Sequence, residues 1–496
     1  MLSVSSRRGI VLQWGFYGRT RELQELVSIF KRGRFFFARV TGRRRIGKTT
    51  LVQQALRASG RTKIFYVQIP DSAPAGVLSA VADAMDTFQI PSNIERPDSL
   101  LSLATLVEKM VRSGYVIALD EFQYFSRKHL HEFLSHLQAV VDRLLATPGS
   151  NGGGLIVLGS LHAELVALLE DRDAPLYNRT TDQLELQHLD IASILQILEA
   201  HSDPTPERLL FLWGLFEGVP KFYRDCFEQG VLAASREELL EQMFYGSSSP
   251  LRSEADHWFL SELRGRYDVV LKFVARNPGC TSGELTSHVR EISPESSEQI
   301  GGYLEVLINK YGLIEKRLPI FSKPKARSGR YYVTDNFLRS WLGALHSSVS
   351  AVNFRPINIL VKQADQKLED GEGFAFEELV AELYAERSRK GVGDFSMTHR
   401  IEGFWDKKGT EIDIVALNED DQIIRFITCK RDAAKLLGES KRLDEHVKRF
   451  LSHHKRFNSW RKEYVGAAPM IEKSLRARLV QSGLFVQDLN ELTFEL

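Results

Sequence analysis

One short segment limits the possible folds of this chain more than any other: a glycine-rich loop near the amino terminus. The loop lies between an apolar run at 35–40 and a stretch of helical character at 50–56. It consists of Gly42, Arg43, Arg44, Arg45, Ile46, Gly47, Lys48 and Thr49. A strand, such a loop and a helix in this order form a phosphate-binding loop, in which backbone N–H groups and the helix N-terminus face phosphate oxygens. The sequence therefore predicts an α/β domain that binds a nucleoside triphosphate.

The side chains at the end of the loop have distinct roles in this chemistry. The ammonium group of Lys48 reaches the β- and γ-phosphates, and the hydroxyl of Thr49 ligates Mg²⁺. The rest of the loop, with Thr50 after it, supplies the backbone around the nucleotide. A glycine-rich turn with an incidental Lys-Thr pair is the alternative, and a second motif argues against it.

That second motif is an apolar run, 115–119, which ends in Asp120 and Glu121. A short continuous apolar run is typical of a buried parallel strand, and functional residues collect at the carboxyl ends of such strands. We expect Asp120 to hold Mg²⁺ together with Thr49, and Glu121 to orient and deprotonate the attacking water. A plain acidic N-cap for the next helix is the alternative.

Two more residues are candidates for auxiliary roles, and each has an ordinary alternative. Ser160 follows the apolar run 155–158 and is either a polar sensor of the γ-phosphate or a loop serine. Arg179 is either a surface residue or a finger that neutralises charge in the transition state, in cis or from a neighbouring subunit. A finger that acts between subunits requires a homo-oligomer.

Composition and charge set wide limits on the rest of the chain. Its 496 residues suffice for roughly three domains of about 150 residues each. The net charge of +1 gives no general affinity for nucleic acid, so such binding must come from local patches. The cysteines, Cys226, Cys280 and Cys429, lie far apart and suit a reducing cytosol. Without a signal-peptide pattern or a long apolar span, the sequence predicts a cytoplasmic protein with no membrane partner.

The motifs together resemble those of the archaeal-type ATPases, which are relatives of AAA+ and STAND proteins. Three further segments carry the resemblance, at 16–23, 175–179 and 218–220. It implies ATP as the nucleotide, a core with a parallel sheet over residues 1–190, and a helical lid over 191–264.

The same resemblance assigns roles to individual residues around the nucleotide. It implies that Phe16, Gly18 and Arg19 help to hold the adenine side, and that Pro220 lies in a lid motif near the base. It also favours the finger role for Arg179.

The segment 265–345 is interpreted as a winged helix. Its pattern predicts helices over 267–277, over 281–289 with Thr281 as N-cap, and over about 296–311, followed by strands at 313–316 and 330–334. The connection 316–330, here called the wing, contains only basic charges: Lys316, Arg317, Lys323, Lys325, Arg327 and Arg330. Such a loop neutralises phosphates without reading base sequence. The alternative, compatible with the first, is that this domain rests on the ATPase and relays its nucleotide state.

A linker is predicted over 346–372, and the remaining segment, 373–496, resembles a restriction-endonuclease-like domain. The resemblance implies a site in which Glu377, Asp413 and Lys430 gather around Mg²⁺ or Mn²⁺. The family's remaining carboxylate position holds Thr428, and a neutral hydroxyl binds Mg²⁺ less well than a carboxylate.

Two predicted strands, 411–417 and 423–430, fix the expected geometry of this second site. A hairpin centred between Asp420 and Asp421 places Asp413 opposite Thr428, with Lys430 next along the same face. Three interpretations stay open: an active nuclease, an inactive fold that binds DNA or a partner, and a plain ion pair between Asp413 and Lys430. A basic stretch at 441–462 is either a solvated helix face or a surface for phosphates.

The sequence therefore predicts a multidomain α/β protein in which an ATPase drives nucleic-acid binding or processing. DNA is the expected partner, through the wing and the stretch 441–462. The alternative is a STAND-like nucleotide switch whose C-terminal domains bind DNA or a protein without cutting.

Overall fold

The computed structural model describes residues 13–147, 152–159, 162–254, 267–292, 299–326 and 328–496. These residues form two compact units. The first, here called the ATPase unit after its expected activity, comprises Gly18–His188 and Val219–Lys221. The second unit comprises Leu189–Gly218 and Phe222–Leu496, together with the described residues before Gly18.

The ATPase unit is a parallel β-sheet with helices between its strands. The strands are β1 (Phe36–Gly42), β2 (Ile64–Gln68), β3 (Val116–Asp120), β4 (Gly154–Leu158) and β5 (Asp182–Leu186). The helices are α1 (Thr20–Lys31), α2 (Lys48–Ser59), α3 (Pro74–Thr87), α4 (Leu100–Arg112), α5 (Glu132–Ala146) and α6 (His162–Glu170), with a 3₁₀ helix at Phe122–Ser126. The predicted parallel sheet is confirmed.

The strand order β2-β3-β4-β1-β5 explains where the site forms. All neighbouring pairs are parallel, so the carboxyl ends of β1 and β3 meet at one edge of the sheet. Every residue of β1, β3 and β4 is buried, as expected for strands covered on both faces. The loop after β1 and the two carboxylates after β3 therefore lie at the same edge.

The second unit begins with helices and continues into a small sheet. Its first helices are α7 (Ile191–His201), α8 (Pro206–Phe216), α9 (Pro220–Glu228) and α10 (Arg236–Leu240), with a π-helical turn at Glu241–Tyr245. They are followed by α11 (Tyr267–Arg276), β6 (Cys280–Thr281), α12 (Ser282–Ile292), α13 (Ile300–Asn309), β7 (Ile314–Arg317) and β8 (Arg330–Val333). The strands pair antiparallel in the order β6-β8-β7. The short strand β6 was not predicted, because two residues are too few to show a pattern.

The start of α12 is stabilised as its sequence predicts. The Thr281 hydroxyl accepts a hydrogen bond from the backbone N–H of Glu284 at 3.3 Å, and the Glu284 carboxylate accepts from the N–H of Thr281 at 2.7 Å. This reciprocal pair is a capping box, which satisfies donors that the first turn leaves unpaired.

The segment predicted as a linker, 346–372, is largely helical. Helix α14 (Asn336–Ser340) precedes this segment. A π-helical turn at Trp341–Leu345 connects α14 to α15 (His346–Val349), where the segment begins. A single long helix, α16 (Ile357–Lys390), then runs through the rest of the linker and into the C-terminal domain. Carboxylates of this helix form ion pairs with arginines from distant parts of the chain. In the sequence, its mixed charges are therefore easily taken for those of a solvent-exposed linker.

The C-terminal sheet has the strand order β13-β12-β11-β10-β9. Its elements are β9 (Glu402–Trp405), β10 (Glu411–Asn418), β11 (Ile423–Cys429), α17 (Leu436–His453), β12 (Arg461–Ala468), α18 (Lys473–Gln481), β13 (Phe485–Asp488) and α19 (Leu489–Thr493). Strands β9 to β11 are antiparallel, and β11 to β13 are parallel.

The predicted hairpin register is confirmed in this sheet. Ile414 pairs with Ile427 and Val415 with Phe426, which is the register of a hairpin centred between Asp420 and Asp421. Strands β9 and β12 were not predicted. The basic stretch 441–462 is α-helical as far as His453, forms a 3₁₀ turn at Lys455–Phe457 and ends in β12.

Candidate functional site

The phosphate loop connects β1 to α2 with three residues in the left-handed region of backbone space. These are Gly42 at φ 140°, Arg45 at φ 67° and Gly47 at φ 92°. A Cβ atom on Gly42 would lie 2.6 Å from the carbonyl oxygen of Leu186, so only glycine fits there. Gly47 is also the N-cap of α2, which directs the helix N-terminus at the loop.

Lys48 spans the loop from the first residue of α2. Its Nζ atom donates to the carbonyl oxygens of Gly42 at 2.8 Å and Arg43 at 2.9 Å, and the residue is only 7% exposed. Burial lowers the pKa of Lys48 to about 8, although the charges of Glu121 and Asp120 oppose this shift. The loop is thus held in shape by its own lysine.

Asp120 joins the phosphate loop to the end of β3. Its Oδ2 atom accepts from the Thr49 hydroxyl at 2.7 Å and from the Tyr66 hydroxyl at 2.8 Å, and its Oδ1 atom accepts from the N–H of Glu121 at 2.8 Å. Burial and the charge of Asp120 raise the pKa of Tyr66 well above its usual value, so this phenol remains a donor. Thr49 and Asp120 offer hydroxyl and carboxylate oxygens side by side, and such hard oxygen donors fit Mg²⁺.

Glu121 is held by a neighbour that the sequence did not single out. The Gln123 side-chain amide donates to Glu121 Oε2 at 2.5 Å. Gln123 is buried, and a Cβ atom on Gly159 would lie 2.6 Å from its Oε1 atom. Glu121 itself has φ 55°, a conformation that costs free energy for a non-glycine residue. Ser160, the predicted sensor, lies outside the described residues.

Two residues predicted near the base lie against the loop. Arg19 donates to the carbonyl oxygen of Ile46 at 3.4 Å and pairs with Glu22 at 3.0 Å. A Cβ atom on Gly47 would meet the Pro220 ring at 3.7 Å. Gly18 adopts φ 63° just before Arg19. Phe16 belongs to the second unit, and its role on the adenine side remains a prediction.

Arg179 is engaged on the surface of the ATPase unit. Its guanidinium donates to Asp142 on α5 at 2.7 and 3.1 Å and to the carbonyl oxygen of Tyr177 at 3.0 Å. The structure therefore places this side chain beside α5, and any action on phosphate requires it to leave Asp142.

A second candidate site is a cavity of about 230 Å³ in the C-terminal sheet domain. It brings together the predicted Glu377, Asp413, Thr428 and Lys430. The other residues that line it are Glu411, Ile412, Glu439, Arg442, Leu443 and His446. The cavity is thus formed by α16, by the facing strands β10 and β11, and by α17.

Asp413 is the most constrained residue of this cavity. Its Oδ2 atom accepts from the Cys429 N–H at 2.8 Å and from the Thr428 hydroxyl at 3.2 Å, and it lies 3.6 Å from Lys430 Nζ. Burial raises the pKa of Asp413, and Lys430 opposes the shift. Burial, followed by the charge of Asp413, raises the pKa of Glu377 well above its usual value.

These residues do not fit a divalent metal as they are arranged. The Thr428 hydroxyl donates its hydrogen bond to Asp413. Its neutral oxygen occupies the position where a third carboxylate would be needed to bind the metal. Within the described ranges, no group of three or more His, Cys, Asp or Glu side chains is placed to hold a metal ion.

Sequence reasoning missed three polar residues of this cavity: Glu411, Glu439 and His446. Glu411 lies two residues before Asp413 on β10, and that spacing puts both side chains on one face of a strand. Glu439 and His446 are seven residues apart on α17, a spacing that repeats one helix face. Both signals are visible in the sequence, but neither identifies the facing element.

Two arginines of the basic wing form ion pairs within the second unit. Arg317 donates to Glu378 at 2.6 Å, and Arg330 pairs with Glu411 at 2.5 Å. Lys316, Lys323 and Lys325 remain exposed, and Arg327 lies outside the described residues. The predicted cationic surface is therefore smaller than the sequence suggests.

Two family models match the chain. Residues 16–221 match an ATPase domain found predominantly in Archaea, which confirms the predicted resemblance to archaeal-type ATPases. Residues 341–463 match a domain described as archaeal and bacterial proteins of unknown function.

Similar proteins were found among curated sequences and solved structures. An uncharacterized protein of Methanocaldococcus jannaschii is 25% identical over 419 residues, which cover 84% of this chain and 87% of that protein. The Walker-type ATPase of Pyrococcus abyssi has a TM-score of 0.48 at 16% identity and covers 66% of this chain and 96% of its own. The ORC2 protein of Aeropyrum pernix has a TM-score of 0.45 at 16% identity, and the match covers 71% of this chain and 94% of that protein.

In the part of the chain that the structure describes, no helix is both long and apolar enough for a membrane span.

Proposed function

We propose that this protein binds ATP at the phosphate loop, hydrolyses it, and uses the nucleotide state to control nucleic-acid binding by its second unit. The observation that carries the hydrolysis is the contact of 2.7 Å between Thr49 and Asp120. It couples the loop that receives the phosphates to the strand end that carries Glu121.

Each residue of the site has a defined task in this proposal. Lys48 leaves the carbonyl oxygens of Gly42 and Arg43 and donates to the β- and γ-phosphates, in a site where burial strengthens the attraction. Thr49 and Asp120 hold Mg²⁺, which supplies neutralising charge to the phosphate oxygens. Glu121 accepts a proton from the attacking water, and the Gln123 amide positions its carboxylate.

Three auxiliary roles complete the proposal. Arg19 and Pro220 border the loop on the nucleotide side, with Phe16 at the adenine. Ser160 senses the γ-phosphate. Arg179 neutralises transition-state charge after release from Asp142, in cis or from a neighbouring copy in a homo-oligomer.

The nucleic-acid part of the proposal is supported by elements of the second unit. Helices α11, α12 and α13 with the hairpin of β7 and β8 have the composition of a winged helix. The exposed lysines of the wing supply sequence-independent affinity for phosphates. The stretch 441–462 adds exposed cations, including Lys441 and Lys455.

Two outcomes of nucleic-acid binding are distinguished by the C-terminal cavity. The meeting of Glu377, Asp413 and Lys430 in one cavity favours DNA cleavage. The hydroxyl of Thr428 in place of a carboxylate favours the alternative, a nucleotide switch that binds DNA or a protein without cutting. Incubation with plasmid DNA, ATP and either Mg²⁺ or Mn²⁺ separates them, because only the first predicts products that Asp413→Ala abolishes.

The ATPase proposal is tested by two substitutions in the loop and strand end. Lys48→Ala removes the cation that meets the phosphates, and we expect loss of ATP binding in calorimetric titration. Glu121→Gln keeps the shape of the side chain but not the base, so ATP binds and turnover falls by about 100-fold or more. Glu132→Gln, on the surface of the same unit, is the matched control and should leave both quantities unchanged. Wild-type turnover by the Glu121→Gln protein would show that the base is another residue.

A further inference from the structure

The second unit contains a cavity of about 700 Å³ between α8, α11, α16 and the π-helical turn at Trp341–Leu345. Its apolar lining includes Phe211 and Leu215 of α8 and Phe374 of α16. A volume of this size lies within the roughly 300–1,000 Å³ that is typical of small-molecule sites. The cavity shares no lining residue with the one that contains Asp413, so the two are separate.

Ion pairs hold the two aromatic walls of this cavity in place. The Arg236 guanidinium lies over the Phe211 ring, 4.2 Å from its centroid, and pairs with two carboxylates of α16. The Arg339 guanidinium lies over the Phe374 ring at 4.7 Å and pairs with Glu378, also of α16, at 2.7 Å. Because each ring is fixed by a charge that would lose its partner on moving, the cavity is preformed, which lowers the cost of binding a ligand.

The lining offers a ligand more positive than negative charge. Arg276 and Lys367 line the cavity and are exposed, and within the described residues neither forms an ion pair. Asp370 is also exposed and accepts only from a glutamine amide, at 3.2 Å. The other carboxylate of the lining, Glu372, is neutralised by two arginines. Two available cations against one available carboxylate favour a ligand with an anionic group.

Gly371 leaves space for a ligand on the α16 side of the cavity. It lies inside a long helix, where glycine is a poor choice unless the backbone must stay accessible. A Cβ atom on Gly371 would have no heavy atom of the described chain within 4 Å, so packing does not require glycine there. Gly373 is equally open but does not line the cavity. The two glycines therefore form a matched pair for an experiment.

We propose that this cavity binds a small organic anion, with its apolar body against the aromatic walls and its charged group paired with Arg276 and Lys367. Helix α11 belongs to the proposed winged helix, and α16 leads into the C-terminal sheet domain. A ligand in contact with both helices would join these two parts of the second unit. The site is distinct from the phosphate loop, so the inference goes beyond the proposed function and does not depend on ATP hydrolysis.

The test is a fluorescence titration of the nucleotide-free full chain with 8-anilinonaphthalene-1-sulfonate, an aromatic anion that fluoresces in apolar surroundings. Gly371→Phe places a ring in the cavity, and we expect it to weaken binding by about tenfold or more, since the probe loses apolar contact area. Gly373→Phe is the matched control outside the lining and should bind the probe as the wild type does. Both variants replace a helix glycine at an open position, so the helix is retained.

The charge of the ligand is tested with a second pair of variants. Arg276→Gln with Lys367→Gln should weaken binding of the sulfonate by about three- to tenfold, because two ion pairs with the ligand are lost. The same double variant should bind N-phenyl-1-naphthylamine, which has the same rings without the sulfonate, as the wild type does. The matched control is Arg290→Gln with Lys362→Gln, two exposed cations outside the lining.

Three results would overturn the proposal. The first is unchanged probe binding in the folded Gly371→Phe protein, and the second is an equal loss of both probes in the double variant at the cavity. The third is loss of probe binding in Lys48→Ala, which would place the probe at the phosphate loop instead. If Gly371→Phe does not fold, as judged by circular dichroism, the comparison of the two probes decides alone.

Discussion

At the scale of single residues, the contacts of Lys48 explain both the shape of the phosphate loop and the acidity of its lysine. Its ammonium group donates to two loop carbonyls and is almost fully buried, so water contributes little to its solvation. This burial explains the lowered pKa of about 8. A triphosphate would supply strong anionic partners and favour the protonated form.

The titration of Lys48 predicts a pH dependence of ATP binding. Above about pH 8, a growing fraction of Lys48 side chains is neutral before ATP binds, so binding must take up a proton. We expect affinity to fall as pH rises, approaching about tenfold per pH unit until the pKa of the bound state is reached. Titration calorimetry between pH 7 and 9.5, in buffers of different ionisation enthalpy, measures both affinity and proton uptake.

The lowered pKa of Lys48 also determines the control variant and the direction in which pH changes the stability of the protein. Lys48→Arg stays charged over this range, so its affinity, although lower, should not depend on pH. Because the folded pKa of Lys48 lies below the unfolded value of 10.5, the unfolded chain binds more protons between these values. Without added nucleotide, the protein therefore gains stability from Lys48 as pH rises from about 8 to 10.5. An ATP affinity that is constant from pH 7 to 9.5 would contradict the shift.

The sequence identifies the site residues that lie in one motif, but not those that reach the site from another strand or helix. Lys48, Thr49, Asp120 and Glu121 each lie within a contiguous motif, so residue type and order suffice to identify them. Tyr66 reaches Asp120 from a strand 54 positions earlier in the chain, and no local pattern marks it. Its role depends on the pairing of β2 with β3, which only the folded sheet supplies.

At the scale of elements, α16 is a long helix that the periodicity of apolar residues does not predict in full. Glu372 is buried and accepts from Arg236 and Arg431, and Glu378 accepts from Arg317 and Arg339. An apolar pattern cannot reveal a helix whose inward face includes paired carboxylates, because burial of each charge depends on a distant partner. The hairpin of β10 and β11 is the opposite case, since its alternation and turn determine its register.

The C-terminal part of α16 stabilises the start of another helix. The Glu386 carboxylate is 1% exposed and accepts from the backbone N–H groups of Ile191 at 2.7 Å and Ala192 at 3.1 Å. Lys390 pairs with Glu386 at 2.7 Å and with Asp190, the N-cap of α7, at 3.2 Å. One carboxylate thus satisfies two unpaired donors of α7.

Removal of this carboxylate should destabilise the second unit. Glu386→Ala leaves two buried N–H groups unsatisfied and Lys390 without its buried partner, and we expect a loss of about 2–4 kcal/mol in the free energy of unfolding. Urea unfolding monitored by tryptophan fluorescence measures it. The matched control is Glu382→Ala on the same helix, whose pair with Arg389 is exposed and should contribute less than about 1 kcal/mol. Equal effects of the two substitutions would refute the capping role.

At the scale of the whole molecule, a nearly neutral chain is proposed to bind a polyanion through a small surface. Of the wing cations in the described residues, Arg317 and Arg330 form ion pairs with carboxylates, while Lys316, Lys323 and Lys325 are exposed. The net charge of +1 therefore does not limit binding, but the number of available lysines does.

Replacement of the three exposed wing lysines by glutamine should weaken DNA binding and leave ATP turnover without DNA unchanged. If each lysine neutralises one phosphate, the slope of log affinity against log salt falls by about 2.7, since each contact contributes roughly 0.9. Fluorescence anisotropy with labelled duplex DNA at several salt concentrations measures this slope. The same substitution at Lys441, Lys448 and Lys455 tests the second basic stretch. An unaltered slope in both triple variants would exclude these surfaces as the DNA site.

The compact units differ in their bounds from the domains that the sequence predicts. The sequence predicts an ATPase core over 1–190, and the compact unit comprises 18–188 with Val219–Lys221. Val219–Lys221 joins this unit through long-range contacts, which composition and local sequence patterns do not reveal.

The ion-paired carboxylates of α16 also restrict how the length of this helix can change during evolution. Asp365, Glu372 and Glu386 are separated by whole multiples of seven residues and recur on one side of the helix. A single-residue deletion near Gly371 would rotate everything beyond it by about 100°. Glu378 and Glu386 would then lose their partners in one mutational event, so homologues should tolerate substitutions along α16 far better than insertions or deletions.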